Sequence, residues 1–227
     1  MAHILHIETS AAICSVSVAC DGNLIAVING ALVNDHIAQL TTLIARVCET
    51  SKITLQQLNA IAVSAGPVAY TGLRIGVSTA KGLCHALNIP LIAVNTLVSM
   101  VEGIKDTYPE KNILFCPLID ARRMQVYTLL SDHSGQLLLP QQAYVMQEEH
   151  IFNSYLSCHK IVFFGSGLNK CKTFLNNLNA LFHEDYLQTA GSMHLLANRQ
   201  YLSSKFENMA YFEPSYIKEF YTTLKIK

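Results

Sequence analysis

The N-terminal part of the chain shows the alternation of apolar and polar residues that is typical of antiparallel strands. Residues 3–7 alternate, and two further strand-like runs follow at 13–20 and 24–28. Asp21-Gly22 lies between these two runs and is a strong signal for a two-residue hairpin turn. The sequence therefore predicts a three-stranded antiparallel meander.

After this meander, the apolar residues follow helical spacing. Asn34 or Asp35 can cap a helix whose apolar residues recur every three or four positions, at Ile37, Leu40, Leu43, Ile44 and Val47. The Ile- and Val-containing run at 59–65 predicts a strand covered on both faces, which Gly66-Pro67 ends. A second helix is predicted from Thr71 to about Asn88, followed by a strand at 91–94 and a helix near Thr96.

The second half repeats this order. After a polar segment at 105–112, strands are predicted at 113–119, 125–130, 136–140 and 160–164. A helix is expected from Gly165-Ser166-Gly167 to about Phe182, another at 193–202, and irregular structure from Tyr211 to Tyr216. We therefore predict an α/β protein of two similar lobes, residues 1–104 and 105–227, with Glu8 and Asp120 at equivalent strand ends beside a cleft.

Composition and charge narrow the functional classes. Only 14% of the residues are charged, against about 25% in typical proteins, which is consistent with a surface partly covered by a partner or simply with a large core. The net charge is zero, so RNA contact is expected only through another subunit. The seven cysteines are scattered and favour reduced thiols in a cytoplasmic protein. No apolar run is long enough to predict a membrane span.

The second predicted helix carries a row of small residues, Gly72, Gly76, Ala80 and Cys84, at four-residue spacing. Glycine inside a helix costs about 1 kcal/mol relative to alanine, so another backbone is expected to approach closely along this row. The row could pack on the chain's own sheet, which the spacing alone favours, or it could dock another protein.

The chemistry of the predicted cleft centres on two acidic turns, Glu8-Thr9-Ser10 and Asp120-Ala121-Arg122-Arg123. Such turns can hold nucleotide phosphates, and Gly165 and Gly167 could join them, although a G-x-G turn is a weak signal. A carboxylate–arginine pair that braces the two lobes is an equal alternative. The histidines form no H-x-x-x-H pair, so no metal site is predicted.

Several motifs together resemble the TsaB (YeaZ) family. The chain reads Glu8-Thr9-Ser10 where the family has D-T-S, and Asp35-His36 opens the first helix. The most specific match is residues 66–76, G-P-V-A-Y-T-G-L-R-I-G, against the family's G-P-G-S-F-T-G-L-R-I-G. I-D-A-R at 119–122 and Pro214-Ser215-Tyr216 match more loosely. Glu8, Val68 and Ala69 depart from the family pattern, and Val68 disfavours a phosphate cradle because a β-branched residue avoids positive φ.

The resemblance implies an actin-like (ASKHA, ribonuclease H-like) fold with mixed five-stranded sheets. It implies a non-catalytic subunit that pairs with a TsaD-like subunit and works with a TsaE-like ATPase. Together these proteins would make threonylcarbamoyladenosine in tRNA. No cofactor is expected beyond weak residual nucleotide binding. Pairing would use the first two helices, and a homodimer could form through the same face. The alternative is an ATP-dependent phosphotransferase or ATPase of the same fold. The expected pairing residues are His36, Leu40, Leu43, Ile44, Val47, Leu73, Gly76, Val77, Ala80 and Cys84. The expected nucleotide residues are Glu8, Ser10, Asp120, Gly165 and Gly167.

Overall fold

The computed structural model describes residues 1–31, 35–67, 70–147 and 150–215, with only the backbone of residues 70 and 71. The expected cap at Asn34, the departures at Val68 and Ala69, and Tyr216 of the late motif lie outside these residues. Within the described part, the chain forms two sheets of five strands each. This architecture confirms the predicted fold class.

The first sheet has the strand order β3-β2-β1-β4-β5. Strands β1, β2 and β3 form the predicted meander, while β4 and β5 run parallel to β1. Asp21 and Gly22 have positive φ angles of 48° and 79°, as a type I′ hairpin requires. The five strands are β1 (His3–Glu8), β2 (Ser15–Cys20), β3 (Asn23–Asn29), β4 (Ala60–Ser64) and β5 (Leu91–Val94).

Three helices accompany this sheet: α1 (His36–Ser51), α2 (Tyr70–Leu87) and α3 (Thr96–Ile104). Helices α1 and α2 pack side by side on one face, where their apolar side chains share a core with β1, β2 and β4. Asp35 precedes α1, but its side chain makes no capping hydrogen bond. Helix α2 begins at Tyr70, so Thr71 lies inside the helix rather than at its cap.

The second sheet has the order β10-β9-β6-β7-β8 and repeats the pairing pattern of the first. Its strands are β6 (Ile113–Asp120), β7 (Gln125–Ser131), β8 (Leu137–Val145), β9 (Lys160–Phe164) and β10 (Ala180–His183), and the remaining helices are α4 (Asn153–Leu156), α5 (Leu168–Cys171) and α6 (His194–Leu202). Strand β8 is longer than predicted, because Pro140 is tolerated on an edge strand.

The long helix predicted after Gly165-Ser166-Gly167 is wrong. Helix α5 covers only four residues, a short 3₁₀ turn follows, and β10 takes the place of the predicted helix end. The segment 175–179 reads L-N-N-L-N, and asparagine favours turns over helix interiors. Local turn chemistry therefore separates the helix from the strand.

The C-terminal segment returns to the first lobe. Ala190, Met193 and Ala197 pack against β1, β4 and β5 on the sheet face opposite α1 and α2. Further on, Glu207 N donates to Leu91 O at 2.9 Å and Ser215 N donates to Ala65 O at 2.8 Å. This segment covers the open edge of β5. The second predicted domain, 105–227, thus contains residues that pack with the first lobe.

No described helix is both long and apolar enough to cross a bilayer.

Candidate functional site

A cavity of about 740 Å³ lies where the two lobes meet. Thr9, Ser10 and His36 line it from the first lobe, and Asp120, Arg122 and Ser166 line it from the second. The two acidic turns therefore face a common cleft, as their equivalent strand ends led us to expect.

The Glu8 turn is closed by its own hydrogen bonds. Glu8 is fully buried and does not line the cavity. Its Oε1 accepts from Ser10 N at 2.6 Å and from Ser10 Oγ, which in turn accepts from Gln188 Nε2 at 2.6 Å. Glu8 Oε2 has no partner among the described residues. Glu8 thus shapes the turn that presents Ser10 to the cleft, which corrects its predicted role as a direct nucleotide contact.

The Asp120 turn is held by a lysine from another element. Lys170 Nζ on α5 forms an ion pair with Asp120 Oδ1, and Arg122 N donates to the same oxygen at 2.6 Å. Arg122 and Arg123 have positive φ angles of 64° and 51°, so they form the tight turn between β6 and β7. The expected carboxylate–arginine brace is therefore wrong, because the described ion pair of Asp120 is made with Lys170.

The glycine turn at 165–167 packs against the end of β6. Gly165 has a φ of 104°, and a Cβ there would lie 2.6 Å from Leu118 O. Gly167 N donates to the same carbonyl at 2.8 Å, and Ser166 Oγ accepts from Asp120 N at 3.1 Å. Gly167 does not line the cavity, and its amide is already hydrogen-bonded within the turn. Of the predicted nucleotide residues, Ser10, Asp120 and Gly165 line the cleft, where nucleotide binding stays a prediction.

A nucleotide with its metal, which the fold family implies, does not fit these turns well. Asp120 Oδ1 is already neutralised by an internal ammonium group, and the Gly167 amide is paired within the chain. Among the described residues, no group of three or more His, Cys, Asp or Glu side chains could hold a metal.

Tyr186 also lines the cleft. Its burial and the nearby Glu8 carboxylate raise the pKa of its hydroxyl group.

A family model described as TsaD, tRNA N6-adenosine threonylcarbamoyltransferase, matches residues 31–222. The chain belongs to the TsaD family.

Its relatives confirm the resemblance to TsaB. The tRNA threonylcarbamoyladenosine biosynthesis protein TsaB of Escherichia coli (strain K12) is 33% identical over 124 residues, which cover 55% of this chain and 52% of that protein. TsaB of Bacillus subtilis (strain 168) is 33% identical over 135 residues, covering 60% and 57%. The match spans only about half the length of these curated relatives.

Solved structures of TsaB-like chains share the whole fold. A Pseudomonas aeruginosa protein with similarity to peptidase YeaZ superposes with a TM-score of 0.84 at 20% identity, covering 96% of this chain and 100% of that one. YeaZ from the same organism gives 0.79 at 21% identity, covering 95% and 100%. A more distant likeness is the activator of the 2-hydroxyisocaproyl-CoA dehydratase from Clostridium difficile with bound ADPNP, at a TM-score of 0.52 and 10% identity, covering 89% and 97%.

For this TsaD-family chain, the residues predicted to contact a partner are buried within the chain itself. Leu40, Val47, Ala80 and Cys84 are at most 1% exposed. His36 is 7% exposed and its Nε2 is 2.9 Å from Ala11 O, a bond that ties α1 to the first turn. The others that prove buried are Leu43, Ile44, Leu73, Gly76 and Val77. The assignment of this face to pairing is corrected, because most of these residues form the core between α1, α2 and the first sheet, and Leu73 packs instead with α3 and the second sheet.

The row of small residues allows helix α2 to approach the Glu8 turn. A Cβ at Gly72 would lie 2.2 Å from Thr9 O, and one at Gly76 would lie 2.2 Å from Thr9 Oγ1. Neither methyl group could be accommodated without movement. The row therefore serves internal packing. Its spacing alone favoured this interpretation, but the family resemblance led us to expect a docking face, and that expectation is corrected.

The outward faces of α1 and α2 were missed by the sequence reasoning. They expose a set of small and apolar residues, which we call the outer face: Ile37, Thr41, Ala45, Ser78, Gly82 and Ala86. Ile37 is 74% exposed, and a Cβ at Gly82 would meet nothing within 4 Å. The signal was present as a second four-residue repeat, Ser78, Gly82 and Ala86, one helical face away from the buried row.

Proposed function

We propose that this chain is a non-catalytic accessory subunit in the formation of threonylcarbamoyladenosine in tRNA. It would pair with a TsaD-like subunit, activate it, and work in the cytoplasm with a TsaE-like ATPase. The names of the TsaB relatives support the pathway. The subunit role is supported chiefly by one observation, the small, uncharged residues of the outer face, which are bordered by the exposed residues Glu49 on α1 and Arg74 on α2.

The outer face suits a helical partner. Small residues let another helix come close enough for its side chains to pack between them. The side chains of Thr41, Ala45, Ser78 and Ala86 add no formal charge and little bulk, and the exposed Ile37 offers apolar area. A TsaD-like subunit is the occupant we favour, because this chain matches the TsaD family model over residues 31–222 and a related fold could present a similar pair of helices.

The pairing is tested by placing a large charged side chain on the outer face. Ser78→Arg and Gly82→Arg are expected to weaken binding to a co-expressed TsaD-like subunit at least about 100-fold, since a buried unpaired charge costs about 3 kcal/mol or more. The matched control is Ser154→Arg, because Ser154 is also an exposed helical serine but lies in α4 of the other lobe.

Binding would be measured by calorimetry, circular dichroism would check folding, and mass spectrometry would quantify threonylcarbamoyladenosine in tRNA from cells that depend on each variant. Loss of both binding and modified nucleoside for the two outer-face variants supports the proposal. Unchanged binding would reject the assigned face. A wild-type chain that forms homodimers but does not bind the TsaD-like subunit would reject the TsaD-like occupant. Unchanged levels of modified nucleoside in cells lacking the chain would reject the pathway itself.

A further inference from the structure

Residues 184–190, which we call the strap, connect the second sheet to the first lobe and lie along the cleft. At the start of the strap, Glu184 forms an ion pair with Lys172 of the second lobe. At its end, Ala190 N donates to Ser15 Oγ of β2 at 3.0 Å. The strap is therefore fixed to both lobes.

Gln188, in the middle of the strap, holds the Glu8 turn from outside. Its Nε2 donates to Ser10 Oγ at 2.6 Å, and Ser10 Oγ donates in turn to Glu8 Oε1. The other carboxylate oxygen, Glu8 Oε2, is buried without a partner among the described residues. The turn therefore depends on a short series of hydrogen bonds through one carboxylate oxygen, and Gln188 links this series to the strap.

The same turn also contacts the two helices that carry the outer face. Next to Ser10, Ala11 O accepts a hydrogen bond of 2.9 Å from His36 Nε2 at the start of α1. Thr9 lies against α2, where a Cβ at Gly76 would be 2.2 Å from Thr9 Oγ1. A displacement of the turn would therefore act on both helices.

The start of α1 has little local support of its own. Asp35 makes no side-chain capping bond, and the first turn of the helix contains no acidic residue, although either feature would stabilise a helix N-terminus. Gln39 Nε2 donates to Asp35 O at 3.0 Å, and Gln39 Oε1 accepts from Ala31 N at 3.0 Å. His36 and Gln39 therefore fix this end of the helix beside Ile37 of the outer face, and the bond of His36 depends on the position of the turn.

We propose that Gln188 is a positioning residue for the outer face. Its hydrogen bond to Ser10 holds the Glu8 turn in the shape that allows His36 to fix the start of α1, so the strap prearranges the surface that receives the partner. Prearrangement improves affinity because less order has to be imposed on binding. The effect on affinity rests on the proposed pairing, whereas the effect on α1 is measured in the isolated chain.

Gln188→Met tests the proposal, because methionine has a similar length but no hydrogen-bond donor. The matched control is Gln141→Met. Gln141 of β8 also bonds across the lobes, to Asn95 Nδ2 before α3, and this bond involves no residue of the Glu8 turn.

Hydrogen exchange of the isolated chain, followed by mass spectrometry, would be measured at residues 40–44, which include the first amides bonded within α1. Exchange there should be at least about threefold faster in Gln188→Met, since one neutral hydrogen bond is worth a factor of about 2–10. Strand β6 should keep its wild-type rate, and Gln141→Met should match wild type at residues 40–44.

Calorimetry with the TsaD-like subunit would measure the effect on pairing. The affinity should fall about threefold or more in Gln188→Met and by less than about 1.5-fold in Gln141→Met. Ser10→Ala removes the same hydrogen bond from its other partner, which keeps the test decisive if Gln188→Met does not fold. The Ser10→Ala, Gln188→Met double variant should bind about as well as Ser10→Ala alone, because the bond between the two residues is already lost.

Faster exchange confined to α1, together with weaker binding, supports the proposal. Wild-type exchange at residues 40–44 in Gln188→Met and Ser10→Ala would overturn it. Equal acceleration in β6 or in Gln141→Met would also overturn it, because either result indicates a general loss of stability, and so would additive effects on affinity in the double variant. If wild type itself does not bind the TsaD-like subunit, the proposed function fails, and the exchange rates alone decide whether Gln188 positions α1.

Discussion

The contact between helix α2 and Thr9 makes Gly76→Ala a sharp test of why the helix contains glycine. The added methyl would lie 2.2 Å from Thr9 Oγ1, 3.2 Å from Thr9 Cγ2 and 3.3 Å from Thr9 Cβ. Favourable contact between non-bonded atoms begins near about 3.5 Å, and Thr9 is buried and stiff because it is β-branched. Overpacking of this kind costs about 1–3 kcal/mol.

Gly82→Ala is the matched control on the same helix. Both substitutions gain the same helix propensity, about 1 kcal/mol, but a methyl at residue 82 meets nothing within 4 Å. The free energy of unfolding should therefore be lower for Gly76→Ala than for Gly82→Ala by the overpacking cost alone, about 1–3 kcal/mol. Urea unfolding followed by circular dichroism measures both values.

A double-mutant cycle identifies the atom responsible. Thr9 Oγ1 has no hydrogen-bond partner among the described residues, so Thr9→Ala loses little hydrogen bonding. It removes the closest atom and should restore much of the stability lost in Gly76→Ala, with a favourable coupling energy of about 1 kcal/mol or more. Equal stability of Gly76→Ala and Gly82→Ala, or additive effects in the cycle, would refute the close packing of α2 on Thr9.

Two further predictions concern titratable groups in the core. His6 is fully buried, and burial, opposed by a hydrogen bond to Ser17 O, lowers its pKa to about 3. Below about pH 6.5 the unfolded chain binds a proton at this residue that the native chain does not. The free energy of unfolding therefore falls as the pH is lowered, by about 1.4 kcal/mol from pH 7.5 to pH 5.5. Urea unfolding of His6→Asn at both pH values should show a loss smaller by that amount, and an equal loss would contradict it. Burial likewise raises the pKa of Cys14, Cys84 and Cys171 to about 12, whereas Cys158 is exposed. Disulfide reagent at pH 8, with labelled sites mapped by mass spectrometry, should modify Cys158 rapidly and these three only on unfolding; fast native labelling of any of them would argue against their burial.

Much of the fold follows from short-range signals in the sequence. The meander, β4 to α3, and the β6–β7 hairpin all rest on local alternation, turn residues and helical spacing, and they were predicted to within a few residues. The segment 168–183 was not, because a four-residue helix and a four-residue strand carry too few positions for a period to be recognised. The return of residues 190–215 to the first sheet depends on packing between distant parts of the chain, which periodicity does not report.

The candidate site shows the same limit at the level of single residues. Glu8 and Asp120 were located correctly at the ends of β1 and β6, because strand ends can be read locally. Their partners could not be read in this way, since Lys170 lies 50 positions from Asp120 and Gln188 lies 178 positions from Ser10. Lys170 and Gln188 thus bind the side chains of Asp120 and Ser10, which the sequence alone indicated as available for a ligand.

Helix α2 shows why a repeat of small residues does not by itself indicate a docking face. The helix carries two such rows, Gly72 to Cys84 and Ser78 to Ala86, with the same four-residue spacing. Spacing defines a face of the helix but not the direction in which that face points. The first row is turned inward because Thr9 lies against Gly72 and Gly76, and the second is consequently left to solvent. A partner that recognises small residues can therefore reach only the second row, so pairing should respond to Ser78 and Gly82, while changes at Gly76 should act on stability first.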